Sequence, residues 1–126
     1  MPDLRALQPA VRTLAMPADA NPSGDIFGGW ILAQMDIAAG TAAFIRAKGR
    51  VATIAVDAMT FHQPVFVGDI VSCYAEVTKV GRTSIKLLVQ TWAQRSRTGE
   101  EIKVTEGHFT CVAIDDQRRP RPVPEA

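Results

Sequence analysis

The sequence lacks most of the features that would assign it to a class at once. Its two cysteines, Cys73 and Cys111, form no CxxC pair and lie inside alternating apolar segments, so they read as buried free thiols rather than as a disulfide or a reactive site. A formal net charge of +1 gives no global pull toward nucleic acid or anionic membrane, and any anion-binding patch must be local. The first residues lack the basic-then-apolar pattern of a secretory signal, which makes the cytoplasm the expected location. There is no internal repeat. The two histidines, His62 and His108, sit in strand-like runs and read as structural or pocket-lining groups.

What is present is a chain of 126 residues, 47% hydrophobic and 21% charged. That suits one globular domain with a real core and no spare length for a second module. Residues 1–10 and the Pro/Arg stretch 117–126 are the expected flexible ends. From Ile26 to Ile45 the only charge is Asp36, over a length that would span a membrane. Gly28, Gly29, Gln34, Gly40 and the central acid argue against insertion, as do the amphipathic segments that follow.

Trp30 to Arg46 has helical spacing, with Ile31, Met35, Ala38, Ala42 and Ile45 recurring at threes and fours and a stop at Lys48-Gly49. Its other faces are mostly small, which predicts a helix buried on most sides. Val51 to Phe61 is apolar on both alternating faces and reads as a central strand. Ile70 to Val80 and Thr83 to Gln94 alternate around a Gly81-Arg82 turn, and Ile102 to Ile114 follows a turn at Thr98-Gly99-Glu100. A short strand over Arg12 to Met16 completes the set. This order predicts an α+β fold, an antiparallel sheet of about five strands wrapped around one long helix. One helix cannot cover such a sheet, so a homodimer at least is expected.

Asp36 is the residue in this pattern with chemical promise. No Lys or Arg lies three or four positions away, and its neighbours at four are Leu32 and Gly40. A carboxylate buried there would be costly, and the bare backbone of Gly40 leaves room beside it for water or substrate. Desolvation would make such an acid a better general base. Plainer roles are a pair with a buried Arg, a cap for a neighbouring element, or a place on a solvated edge. Gly28 and Gly29 lie just before the helix and leave its first-turn N–H groups uncovered to hold a developing oxyanion, or else they simply form a tight turn. Asn21, in "NPSGD", would orient water or a carbonyl, although Asn-Pro-Ser-Gly is also ordinary turn composition. Together these groups suggest acyl transfer to water without a Ser or Cys nucleophile.

The stretches "RTLAMPADANPSGDIFGGWILAQMDIAAG", "VATIAVDAMTFHQPVFVGDIVSCYAEVTKVGRTSIKLLVQTW" and "FTCVAIDDQRRPRPVP" resemble the hotdog-fold acyl-CoA thioesterases of the YciA type, from about Val11 to Val123. The resemblance implies a hotdog fold, hydrolysis of acyl-CoA to a fatty acid and coenzyme A, and a hexamer built as a trimer of dimers. It implies no cofactor or metal beyond the coenzyme A of the substrate. By the same resemblance Asp36 is the general base or nucleophile, and Asn21 positions water or substrate, from the neighbouring subunit in related enzymes. Gly28 and Gly29 polarise the thioester carbonyl. Arg82, Thr83 and Ser84 match a coenzyme A contact region. The run of Arg118, Arg119 and Arg121 would add phosphate contacts or form a solvated tail. Pro22, Ser23 and His62 depart from the family pattern. The rival functions are a hotdog dehydratase, disfavoured because "GDIFGG" lacks a histidine, and a non-catalytic acyl-CoA sensor or binding protein.

Overall fold

The computed structural model describes residues 2–126. Its elements run β1 (Val11–Leu14), α1 (Gly28–Ala47), β2 (Val51–Phe61), β3 (Ile70–Val80), β4 (Ser84–Gln94) and β5 (Glu101–Ala113), with short 3-10 turns at Leu4–Ala6 and Pro17–Asp19. The five strands form one sheet in the order β1-β3-β4-β5-β2, and all its pairings are antiparallel. The expected α+β architecture is therefore present: one sheet curled around one long helix.

Alanines decide how closely the two layers meet. Ala38, Ala39, Ala43 and Ala47 on α1 are all fully buried, and their short side chains let the helix backbone settle onto the sheet. Ile31, Met35, Ala38 and Ala39 pack against Val71, Cys73, Val89, Val104 and Phe109. Further along, Ala43 and Ala47 meet Ile85, Leu87, Cys111 and Ala113. Both cysteines are buried and free.

Two expectations need correction. The strand Val51–Phe61 is not central but lies at the sheet edge beside β5, and most of it is exposed, Ile54 at 62%. Its apolar residues on both faces mimic a buried strand, but only β5 pairs with it. Helix α1 is likewise covered on one face only: Leu32, Ile37, Phe44 and Ile45 are exposed, Ile45 at 71%. The spacing that groups Ile45 with Met35 drifts off the sheet-facing stripe by the last turn, where Ala43 and Ala47 take over.

Both chain ends are hydrogen-bonded to the body. On the outer sheet face Leu4 joins Tyr74 and Leu88 in a small buried cluster. Beneath it, fully buried Gln90 accepts from the Leu4 N–H (2.9 Å) and donates to the Pro2 carbonyl (2.6 Å). At the other end Val123 N–H donates to the Arg82 carbonyl. Arg46 donates to the Pro124 carbonyl and Arg121 to the carbonyls of Ile114 and Ala47.

Candidate active site

Helix α1 starts at Gly28 after Phe27, whose side chain makes no capping bond. An α-helix that begins this way leaves its first-turn N–H groups, those of Gly28 and Gly29 among them, without intrahelical acceptors, at the positive end of the helix dipole. A Cβ at Gly28 would sit 3.7 Å from the Phe61 ring, whereas one at Gly29 would meet nothing. The bare Gly29 backbone thus opens onto a cleft of about 430 Å³ lined by Gly29, Leu32, Ala33, Asp36, Thr53, Val56 and Phe109.

Asp36 stands two turns further along the same helix, roughly 10 Å from Gly29 at 1.5 Å per residue. Its carboxylate is exposed in the single chain, which corrects the expectation of a buried acid. Met35, Ala38 and Ala39 face the sheet, and position 36 falls on the flank beside the edge strand β2. The room next to the acid lies toward Gly29, Leu32 and Ala33 rather than Gly40, which does not line the cleft.

One residue that the sequence reading passed over completes the arrangement. Thr53, on β2, donates its hydroxyl proton to Asp36 Oδ1 at 2.6 Å. A threonine between alanine and isoleucine in a strand carries no chemical signal of its own, and only the packing of α1 against β2 brings it to the acid. With that proton committed, Thr53 Oγ1 can accept from the Cys111 thiol, 3.8 Å away. Burial pushes the Cys111 pKa up, and the nearby Asp36 charge adds to the rise. Cys111 is therefore a protonated thiol, unsuited to nucleophilic attack.

The other expected site residues lie elsewhere in this chain. Asn21 Oδ1 accepts from the backbone N–H groups of Ser23 and Asp25, an Asx-type turn that closes its own loop, and Asn21 does not line the cleft. Arg82 and Thr83 lie in the β3–β4 turn and Ser84 opens β4; Gly81 N–H donates to the Ser84 carbonyl and the Thr83 carbonyl accepts from Ala113. Ala113 in turn packs against Ala47, so the turn lies beside the C-terminal end of α1, roughly 16 Å along the helix from Asp36. Arg119 is exposed in a turn closed by Asp115. His62 and His108 are both exposed, and neither lines the cleft.

This fold and site define a class. Residues 23–100 match the model of the thioesterase superfamily. The chain is 49% identical to the acyl-CoA thioester hydrolase YciA of Salmonella typhimurium, over 90% of this chain and 88% of that protein. Among solved structures it superposes on HI0827, a hexameric broad specificity acyl-coenzyme A thioesterase, with a TM-score of 0.88 and 48% identity, covering 93% of this chain and 81% of that one. Cj0915, a hexameric hotdog fold thioesterase of Campylobacter jejuni, gives a TM-score of 0.90 at 42% identity over 95% and 92% of the two chains. The chain belongs to the thioesterase superfamily and has the hotdog fold. Among the described residues no helix is long and apolar enough to cross a membrane.

Proposed function

We propose that this protein hydrolyses acyl-CoA thioesters to a fatty acid and free coenzyme A, and that Asp36 is the group that delivers water. The carrying observation is the Asp36 carboxylate, held at one oxygen by Thr53 at the mouth of an apolar cleft that begins at Gly29. The likeness to enzymes named as acyl-CoA thioester hydrolases supports the substrate class.

In this reading the acyl chain lies along Leu32, Ala33 and Val56, and the thioester carbonyl points at the first-turn N–H groups. Asp36 takes a proton from water as its oxygen attacks the carbonyl carbon. The tetrahedral oxyanion is held by the Gly28 and Gly29 amides at the positive end of the helix. The C–S bond then breaks, the carbonyl re-forms, and the leaving thiolate of coenzyme A takes up the proton. Attack by Asp36 itself, giving an acyl-enzyme anhydride that water then hydrolyses, uses the same geometry. A neighbouring copy supplies Asn21 to position water or substrate. Arg82, Thr83, Ser84 and Arg119, remote from Asp36 in one chain, serve coenzyme A across such an interface. The exposed apolar face of α1 and the edge strand β2 favour an oligomer with the dimer as catalytic unit. The hexameric state of the structural relatives suggests a trimer of dimers. Cytoplasmic location and independence of any cofactor belong to the same reading.

The test is release of free thiol from acyl-CoAs of rising chain length, by the unaltered protein and its Asp36→Ala variant. Release that the substitution abolishes while coenzyme A still binds supports the proposal and gives the length preference. Binding without release from any acyl-CoA would sink it and leave a binding or sensing protein.

A further inference from the structure

The most buried ion pair among the described residues lies outside the cleft. Asp69, the residue directly before β3, is 2% exposed. Its Oδ2 accepts from Arg95 Nη1, on the residue just past β4, and from the backbone N–H of Phe66 at 2.9 Å. The same guanidinium donates through Nη2 to the Pro64 carbonyl at 3.0 Å and lies over the Phe66 ring, 4.6 Å from its centre. Arg95 therefore grips the segment Pro64–Asp69 at both ends. The segment is closed on itself by Asp69 N–H to the Phe66 carbonyl and tied to β1 by Gly68 N–H to the Ala15 carbonyl, with Gly68 at φ +94°.

That segment is what the chain leans on as it enters the catalytic helix. Ile26 N–H donates to the Val65 carbonyl at 2.9 Å, and Asp25 bridges Phe66. Asn21 N–H donates to the Asp25 carbonyl at 2.7 Å, and Phe27 N–H to the Asp19 carbonyl at 3.0 Å. Since α1 has no side-chain cap, the position of its first turn is set by these backbone bonds. The pair is not free to bind an anionic ligand, because the guanidinium charge is met by a carboxylate almost wholly out of water. A buried pair of this kind is weak evidence of a role in stability, since its replacement by a well-packed apolar pair is often neutral or stabilising.

We propose that Asp69 and Arg95 are positioning residues for the reaction. By holding the Pro64–Asp69 segment they fix where α1 begins, and with it the Gly28 and Gly29 amides and the Asn21 loop. Neither residue touches substrate. The proposal rests on the reading of those amides as the oxyanion site, so its test has one arm that reads position and another that reads turnover. Misplacing a stabilising group by about 1 Å costs as much as about a hundredfold in rate.

The experiment compares the intact oligomer with its Arg95→Ala, Arg95→Lys and Asp69→Asn variants. Selective ¹⁵N-glycine labelling follows the amide resonances of Gly28 and Gly29, with Gly107 in the middle of the sheet as an internal reference. Thiol release from one acyl-CoA gives kcat and KM separately. Arg95→Ala is expected to move the Gly28 and Gly29 resonances, leave Gly107 in place and lower kcat about tenfold or more, with KM changed less than about threefold. Arg95→Lys keeps the charge but loses the fork and the stacked plane, and is expected to fall between. Asp69→Asn keeps an acceptor for Phe66 and Arg95 and should retain more of kcat than Arg95→Ala does. If Arg95→Ala does not fold, Arg95→Lys carries the test. Unmoved Gly28 and Gly29 resonances, or an unchanged kcat, would overturn the proposal. If the unaltered protein releases no thiol, the oxyanion reading falls, while the glycine resonances still report whether Arg95 places the helix start.

Discussion

The two ends of helix α1 are finished in opposite ways. At the C-terminal end Lys48 takes the left-handed conformation at φ 54°. Arg121 caps the Ala47 carbonyl from the chain's tail, and Arg46 reaches back to the Pro124 carbonyl. Positive charge and donors thus meet the exposed carbonyls and the negative end of the dipole. At the N-terminal end there is neither a side-chain cap nor an acidic residue in the first turn, and Gly29 leaves its surroundings open. One end is closed for stability. The other end is uncapped, and under the proposed function its donors serve the substrate; the cleft with Asp36 and Thr53 begins there.

This contrast is broken most severely at the acid. Asp36→Ala should lower kcat by about 10² to 10⁴-fold, the range for removing a general acid-base group, with the melting temperature little changed because the side chain is exposed. Steady-state thiol release beside a thermal melt measures both. Thr53→Val, which keeps shape but removes the donor to Asp36, should lower kcat about tenfold, and Thr53→Ser should recover most of it. A Val variant as active as the unaltered protein would show that the Thr53 hydrogen bond is ornamental.

Gly29→Ala separates the roles of the two ends. The added methyl group meets no atom of the chain, and alanine favours the helix by up to about 1 kcal/mol over glycine. The melting temperature should hold or rise while activity falls, because the methyl group crowds the cleft. Arg121→Ala is the converse: it removes two hydrogen bonds to carbonyls and should cost about 1–3 kcal/mol of stability by denaturant titration, with kcat unchanged.

The smallest effect concerns the thiols. Burial pushes Cys73 up from 9.0 to about 11, against a hydrogen bond with Thr91 that lowers it. In the folded state Cys73 keeps a proton that the unfolded chain releases above pH 9. Its contribution to stability is therefore full below pH 9 and fades as pH rises from about 9 to 11. A disulfide reagent at pH 8 should leave both cysteines of the folded protein unmodified and react with both after unfolding.

Much of the fold was legible because its signals are local. The bounds of α1, β3 and β4 fall within a few residues of those expected, since Lys48-Gly49, Gly68-Asp69 and Gly81-Arg82 punctuate clear periodicities. Which strand lies at the edge was not legible. Val51–Phe61 looks like a central strand, and pairing partners, not composition, decide that. The same holds for the ends: Leu4 and Arg121 gain their partners only when Gln90 and Ala47 come near, at separations of 86 and 74 residues.

The sequence alone determined the parts that depend on neighbours along the chain: the glycine pair ahead of the long helix, the lone acid two turns inward, and the absence of a histidine ahead of it. Tertiary structure decided which groups those parts would meet. Thr53 reaches Asp36 across 17 residues and Arg95 reaches Asp69 across 26. It also turned Asp36 toward the flank of the helix instead of the sheet. Periodicity fixes which residues share a face, but the face that is buried, and what stands opposite it, follow only once strand and helix pack.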